Sequence, residues 1–465
     1  MTAPQIVWFR RDLRLRDQPA LYGAAQAGPV VPVFILDDRR PGRRKHGGAH
    51  RWWLHHSLKS LSASFGKRNS KLILREGDSV DVLTALAKET GAEAIHAIRH
   101  YEPWWREAED DLADALPDGC DLNLYDGNYL LPPGTAKTGS GKPYKIYTPF
   151  SKAVLHHLPP RDELPEPDAI HQPGDLPESE ELDDWKLLPT KPDWAAGFRE
   201  FWEVGEDRAL ERLDEWKDEV VDYDDKRNRP SVIGSSRMSP HLHWGEISPV
   251  TIWHALKDRR SHGWKVYEKE LIWRDFAQNL IYQFPDYADE SYRDTFDGSL
   301  WRNVDKDDDA KADLKAWQKG ETGYPIVDAG MRELWHVGWM HNRVRMITAS
   351  FLIKHLLIDW RHGEQWFWDC LVDGDLGNNG TNWQWTAGTG VDSNMFPRIM
   401  APLSQSEKFG AVDYIRKWVP ELAKLSDDDI HDPSDDVRPD DYPAKRIGHK
   451  EARERALHAY RQMKG

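Results

Sequence analysis

Glu270, Trp273, Arg274 and Ala277 fall at i, i+3, i+4 and i+7 and share one face of a helix. A carboxylate, an indole and a guanidinium on one face can stack on one planar group and hydrogen-bond another. On an ordinary helix the same set is an amphipathic Trp beside a solvated ion pair. Asn342 and Met346 are four residues apart with Arg343 beside the first, which places an amide, a thioether and a cation on one helical stretch. Ser235, Ser236 and Ser239 enclose Arg237 and Met238. Hydroxyl and backbone donors there suit pyrophosphate oxygens, and the same spacing also caps helices.

The densest polar chemistry lies between Thr322 and Asp392, where Asn, Arg and Asp recur inside segments rich in Trp, Met, Ile and Phe. Buried polar groups need partners, and a large, flat, hydrogen-bonding cofactor lined by aromatics would supply them. Asp373-Gly374-Asp375 begins like a calcium loop but lacks the later ligands and the closing Glu. The pairs His55-His56, His156-His157 and His241-x-His243 have no Cys or carboxylate at metal spacing, so no metal site is expected. Trp383 and Trp385 are two apart and point in roughly opposite directions.

The elements that must position these groups fall into two patterns. Ile6 to Phe9, Val30 to Leu36, Lys71 to Leu74 and Ala94 to Ile98 read as buried strands, with Asp121 to Tyr125 as a further strand. Helical stretches at Arg51 to Leu61 and Ser79 to Glu89 alternate with them, the pattern of an α/β domain with a parallel sheet covered on both faces. Arg10-Arg11-Asp12-Leu13-Arg14 follows the first strand where a dinucleotide-binding glycine fingerprint would stand. Pro159 to Asp193 carries eight prolines and many acids, a connector rather than a core. Beyond Trp194 the periodicity is helical, as in Glu270 to Leu280 and Met331 to Ile358, so the second domain is expected to be all-α. The expected partition is 1–130, a connector 131–195, and a helical domain 196–465.

A length of 465 residues exceeds what one hydrophobic core organises. Two cysteines, Cys120 and Cys370, give no disulfide framework and cannot ligate an iron–sulfur cluster, so a reducing cytoplasm is the expected compartment. No signal peptide pattern and no apolar run of membrane-spanning length is present. A net charge of −15 excludes nucleic-acid binding by the whole surface and leaves room for a local basic patch.

Five motifs taken in order resemble the photolyase/cryptochrome family. They are Trp8 to Arg14, Gly139-Ser140-Gly141-Lys142-Pro143-Tyr144, Ser235 to Pro240, Glu270-Leu271-Ile272-Trp273-Arg274, and the stretch from Gly323 to Trp385. Within the family the likeness is to class I cyclobutane pyrimidine dimer photolyases. The resemblance implies an N-terminal α/β domain, a helical domain holding FAD, and light-driven repair of a pyrimidine dimer in DNA by a monomer. A cryptochrome-type blue-light photoreceptor is the alternative on the same scaffold.

Carried over residue by residue, the resemblance puts Trp273 against the damaged base pair, Glu270 in a hydrogen bond to it, and Asn342, Met346 and Trp385 at the lesion pocket. Histidines stand at the positions of Asn342 and Met346 in (6-4) photolyases, so their absence points to the cyclobutane dimer. It gives Tyr223, Ser235, Ser236, Arg237, Met238, Ser239, Tyr267, Arg345, Asp373 and Asp375 to FAD, with Asp373 paired to Arg345, sets Asn379 facing the flavin N5, and makes Arg274 a flavin or nearby structural contact. Arg227, Arg343, Arg398 and Lys408 are expected on DNA phosphates. Trp383 and Trp360 align with the inner members of a photoreducing electron chain. Trp301 is the candidate for its outer member, although the acidic stretch Asp305 to Lys311 lengthens its distance to Trp317. The resemblance allows a second, antenna chromophore, which in the family is a folate, a deazaflavin, a flavin or none; Trp104-Trp105 stand where folate-binding relatives show Asn-Glu, which argues against folate in that mode.

Overall fold

The computed structural model describes every residue except Met1, Asp297, Asn394, Met395 and Gly465. Strands β1 (Gln5–Phe9), β2 (Val30–Leu36), β3 (Ile73–Glu76), β4 (Ala94–Ile98) and β5 (Asp121–Tyr125) form one sheet in the order β3-β2-β1-β4-β5. Every neighbouring pair is parallel. Helices α1 (Pro19–Ala27), α2 (Gly48–Gly66), α3 (Ser79–Thr90) and α4 (Pro103–Ala115) make the crossovers between successive strands.

The three central strands are buried along their whole length, which is why they read as continuous apolar runs rather than alternating ones. Ile6 lies in register with Val31 on one side and Ile95 on the other, and these side chains pack with Leu83, Leu86 and Leu112 in one core. Each such buried aliphatic contributes about 1.5–3 kcal/mol, against about 0–1 kcal/mol for a surface ion pair, so the sheet core dominates. The Arg10–Arg14 turn is held by buried polar bonds instead of glycine. Asp12 accepts from the Arg10 N–H at 2.6 Å and from Gln18 Nε2 at 2.6 Å. Burial pushes the Asp12 carboxyl up from its usual value.

The strand expected at Lys71 to Leu74 sits two residues later, at Ile73–Glu76, because pairing with Val33–Leu36 fixes its register. It is an edge strand, so Arg75 and Glu76 are tolerated in it. The proline-rich connector wraps that edge: the Glu180 N–H donates to the Leu74 carbonyl at 2.9 Å, and Trp185 packs on Phe34 with centroids 6.1 Å apart.

The chain divides by compactness into two units. The first comprises Met1–Trp194, Trp202–Val221 and Ser236–Pro285, and the second Ala195–Phe201, Asp222–Ser235 and Asp286–Gly465. Outside the sheet the first unit includes α5 (Tyr147–His156) and α6 (His262–Gln283); the second is helical, with α7 (Asp308–Lys319), α8 (Pro325–Val337), α9 (Asn342–Ser350), α10 (Trp360–Cys370), α11 (Leu376–Ala387) and α12 (His449–Met463). The helical periodicity from Met331 to Ile358 is broken at Gly338, whose φ of 69° closes α8 in the left-handed region. A Cβ there would meet Phe198 Cζ at 2.6 Å. After α9 the chain makes a π turn, Phe351–His355. The core of the second unit gathers Trp317, Phe351, Leu352, Trp360, Phe367 and Trp383. Among the described residues no helix is long and apolar enough to cross a membrane.

Candidate functional site

Helix α6 carries the first unit's part. Ser261 caps it by accepting from the Trp264 N–H. Ala277 is buried, Glu270 and Arg274 are partly exposed, and Trp273 is 38% exposed. One face of the Trp273 ring lies on Tyr147 of α5, with centroids 3.3 Å apart and planes 2° from parallel. The Tyr147 hydroxyl donates to the Lys269 carbonyl at 3.2 Å. The Arg274 guanidinium donates to the carbonyls of Asn128 and Leu242 and lies over the Tyr129 ring.

Within the serine run, Ser235 ends a piece of the second unit and Ser236 begins the first unit's third piece. Ser236 Oγ and Tyr267 OH are 3.0 Å apart, Ser236 Oγ accepts from the Met238 N–H at 3.3 Å, and Arg212 Nε donates to the Ser236 carbonyl at 2.9 Å. Burial pushes the Tyr267 phenol up to about 12, so it stays a hydroxyl. Arg237 has φ 54°, a left-handed residue that turns successive backbone groups to one side. Met238 is buried and Ser239, the first residue of a short helix, is exposed.

The second unit holds the rest. At the start of α9 Asn342 is exposed, and Met346 is partly buried with its sulfur 3.4 Å from Arg343 Nη1. Arg345 grips both oxygens of Asp373 at 3.1 and 2.9 Å and donates from Nε to the Met340 carbonyl at 2.8 Å, so the expected pairing with Asp373 is present. Asp375 caps α11 by accepting from the Asn378 N–H at 2.6 Å. Asn379 donates from Nδ2 to the side chain of Glu364 at 2.9 Å and to its carbonyl at 3.0 Å. Tyr223 is buried with the Arg227 guanidinium over its ring. Arg398 and Lys408 are exposed.

Trp383 is buried, with ring contacts to Phe367 at 5.0 Å and Trp317 at 6.2 Å. Gly363 makes room for it, since a Cβ there would meet Trp383 Cη2 at 2.1 Å. Trp360 is fully buried and donates to Ser291 Oγ at 3.3 Å. No ring contact joins it to Trp383 among the described residues. Trp301 packs on Phe396 at 6.1 Å. Trp385 is partly exposed, and its carbonyl accepts from Ser393 Oγ at 2.6 Å.

Sequence reasoning missed Glu364, Asn228, Phe409 and Tyr147. A lone acid between Trp360 and Trp366 was a readable sign for Glu364. Asn228, inside the charged run Asp224 to Arg229, gave none.

Residues 5–168 match the family model described as DNA photolyase, and residues 267–462 match the one described as FAD binding domain of DNA photolyase. The chain is similar to the deoxyribodipyrimidine photo-lyase of Agrobacterium fabrum, 46% identical over 483 residues that cover 100% of this chain and 98% of the relative. Among solved structures it is similar to a bacterial class III photolyase from Agrobacterium tumefaciens, with TM-score 0.93, 45% identity and coverage of 100% and 98%. An archaeal photolyase from Sulfolobus tokodaii with two FAD molecules matches with TM-score 0.83, 29% identity and coverage of 99% and 100%. The finer expectation of a class I likeness gains no support, since a class III structure matches over the full chain.

Proposed function

The chain belongs to the photolyase/cryptochrome family, and on that premise we propose that its light-driven DNA repair acts on cyclobutane pyrimidine dimers. Trp273 carries the proposal. It is a large apolar ring left 38% exposed beside Glu270, where most tryptophans of the chain are packed in cores, and it offers a stacking surface to a base taken out of the duplex. Asn342 and Met346 at the head of α9 are read as lesion contacts, and neither can transfer a proton as histidine would. Arg227, Arg343, Arg398 and Lys408 supply the phosphate contacts that a chain of net charge −15 must concentrate locally.

FAD fits the residues present. The Nδ2 group of Asn379 donates only to Glu364, while its Oδ1 makes no hydrogen bond among the described residues. That leaves an acceptor for the N–H of a reduced flavin at N5. Ser235, Ser236, Arg237, Met238 and Ser239 offer hydroxyls and a left-handed turn to the diphosphate. Tyr223, Tyr267, Arg345, Asp373 and Asp375 frame the remainder, and Trp385 borders the lesion pocket. Bound and reduced, FAD would supply the electron for light-driven splitting of the dimer. A second chromophore as antenna, a monomeric state and a cytoplasmic location complete the proposal.

The test is illumination of dimer-containing oligonucleotide with dithionite-reduced protein under blue or near-ultraviolet light. Loss of dimer in the light and none in the dark is expected. Unchanged dimer content would leave the photoreceptor as the function of the scaffold.

A further inference from the structure

Arg343 is held in a way that sets it apart from its neighbours. Arg345, two residues on, is bound to both oxygens of Asp373; Arg332 lies 2.7 Å from Glu421, and Arg302 and Arg446 share Asp313. Arg343 touches no carboxylate among the described residues. Its Nη2 donates to the amide oxygen of Asn228 at 2.7 Å, its Nη1 lies 3.4 Å from the Met346 sulfur, and its guanidinium carbon sits 4.7 Å over the Phe409 ring. Burial and the nearby Arg227 both lower its pKa, and no acid acts against them.

The three segments around it are tied together. Glu333 Oε2 accepts from the His341 N–H at 3.2 Å and from the Tyr414 hydroxyl at 2.6 Å. Ser231 Oγ donates to the Gly410 carbonyl at 2.6 Å and accepts from the Tyr414 N–H at 3.1 Å. The His341 ring accepts from the Arg343 N–H at 3.2 Å. The 226–234 loop closes tightly on itself, since a Cβ at Gly234 would meet the Lys226 carbonyl oxygen at 2.7 Å.

We infer that Asn228 is the positioning residue for Arg343, orienting the guanidinium with a neutral acceptor so that its whole charge remains for a DNA phosphate. An acid in its place would align the arginine equally well and discharge it. A preorganised cation loses little entropy on binding, and in a chain of net charge −15 one uncompensated arginine weighs heavily. The inference rests on the DNA-repair function proposed above.

The experiment measures binding of dimer-containing duplex across a salt series by FAD-loaded protein and its Asn228→Asp, Asn228→Gln and Arg343→Gln variants, with retained flavin absorbance as the check on folding. Asn228→Asp should weaken binding about tenfold and flatten the plot of log affinity against log salt by about one unit, as losing one phosphate contact does. Asn228→Gln, still neutral, should keep the wild-type slope. In the Arg343→Gln background Asn228→Asp should add little. Wild-type slope and affinity in Asn228→Asp would overturn the inference, as would equal losses with and without Arg343. Failure of the wild-type protein to bind dimer DNA at all would instead overturn the repair function.

Discussion

The side-chain amide of Asn379 is spent on Glu364, once on its carboxylate at 2.9 Å and once on its carbonyl at 3.0 Å. Glu364 is buried to 1% exposure on α10, so the amide orientation is fixed from behind by two buried acceptor oxygens. In the site proposed above, Oδ1, which accepts and cannot donate, is left for the flavin and would favour a protonated N5 over an oxidised one.

Glu364→Ala should therefore free the amide to turn, and the reduced flavin should lose its preferred partner. The variant is expected to keep FAD yet show a more negative flavin midpoint potential and faster reoxidation in air. Glu364→Gln keeps an acceptor and should lie close to wild type. Equal potentials in all three proteins would remove Glu364 from control of the flavin. Because leaving a buried hydrogen-bonding group unsatisfied costs about 1–3 kcal/mol, Glu364→Ala should also lower the melting temperature.

Substrate choice is tested by Asn342→His together with Met346→His. Asn342 is exposed and Met346 partly buried on α9, and neither takes part in the Arg345–Asp373 pair. The double variant should bind FAD normally and lose dimer repair by roughly two orders of magnitude. Loss of flavin absorbance would show that these side chains support the cofactor instead.

Much of this arrangement was legible in the sequence, and the illegible parts share a cause. β1, β2 and β4 announced themselves because a doubly covered parallel strand must be apolar throughout, and the α6 face because helical spacing alone aligns Glu270, Trp273 and Arg274. β3 was misplaced by two residues because its register is set by β2, not by its own composition. The Arg345–Asp373 pair could be proposed because both ends lay in recognisable motifs. Asn228 and Phe409 could not, since their meaning lies only in Arg343, which stands far along the chain from both, 115 residues from Asn228. Nothing local distinguishes an amide that orients an arginine from one in solvent.

Acid stability follows from buried imidazoles. Burial, reinforced by Arg343 and Arg345, depresses His341 to about 4, and burial with His449 nearby depresses His355 to about 3. The folded values lie below the unfolded one of about 6.5, so between these limits the unfolded chain binds more protons. Their stabilising contribution is complete above pH 6.5 and is lost as pH falls towards 4. His341→Asn keeps an effective cap for α9 and removes the titration. It should lose less melting temperature than wild type between pH 7 and pH 5; parallel losses would place the titration elsewhere.

The electron path is the last test. Trp383 is in ring contact with Trp317 and Phe367, while Trp360 and Trp301 stand apart from it, on Ser291 and Phe396 respectively. Trp383→Phe keeps aromatic packing in the space that Gly363 leaves and removes the readily oxidised indole. Photoreduction of bound oxidised FAD should fall by roughly an order of magnitude, with repair by chemically reduced protein intact, because that electron moves from flavin to dimer. Trp360→Phe and Trp317→Phe then separate two exits. A loss confined to Trp360→Phe would select the route through Trp360 towards Trp301, and a loss confined to Trp317→Phe would select the ring-contact route through α7. Undiminished photoreduction in Trp383→Phe would refute both.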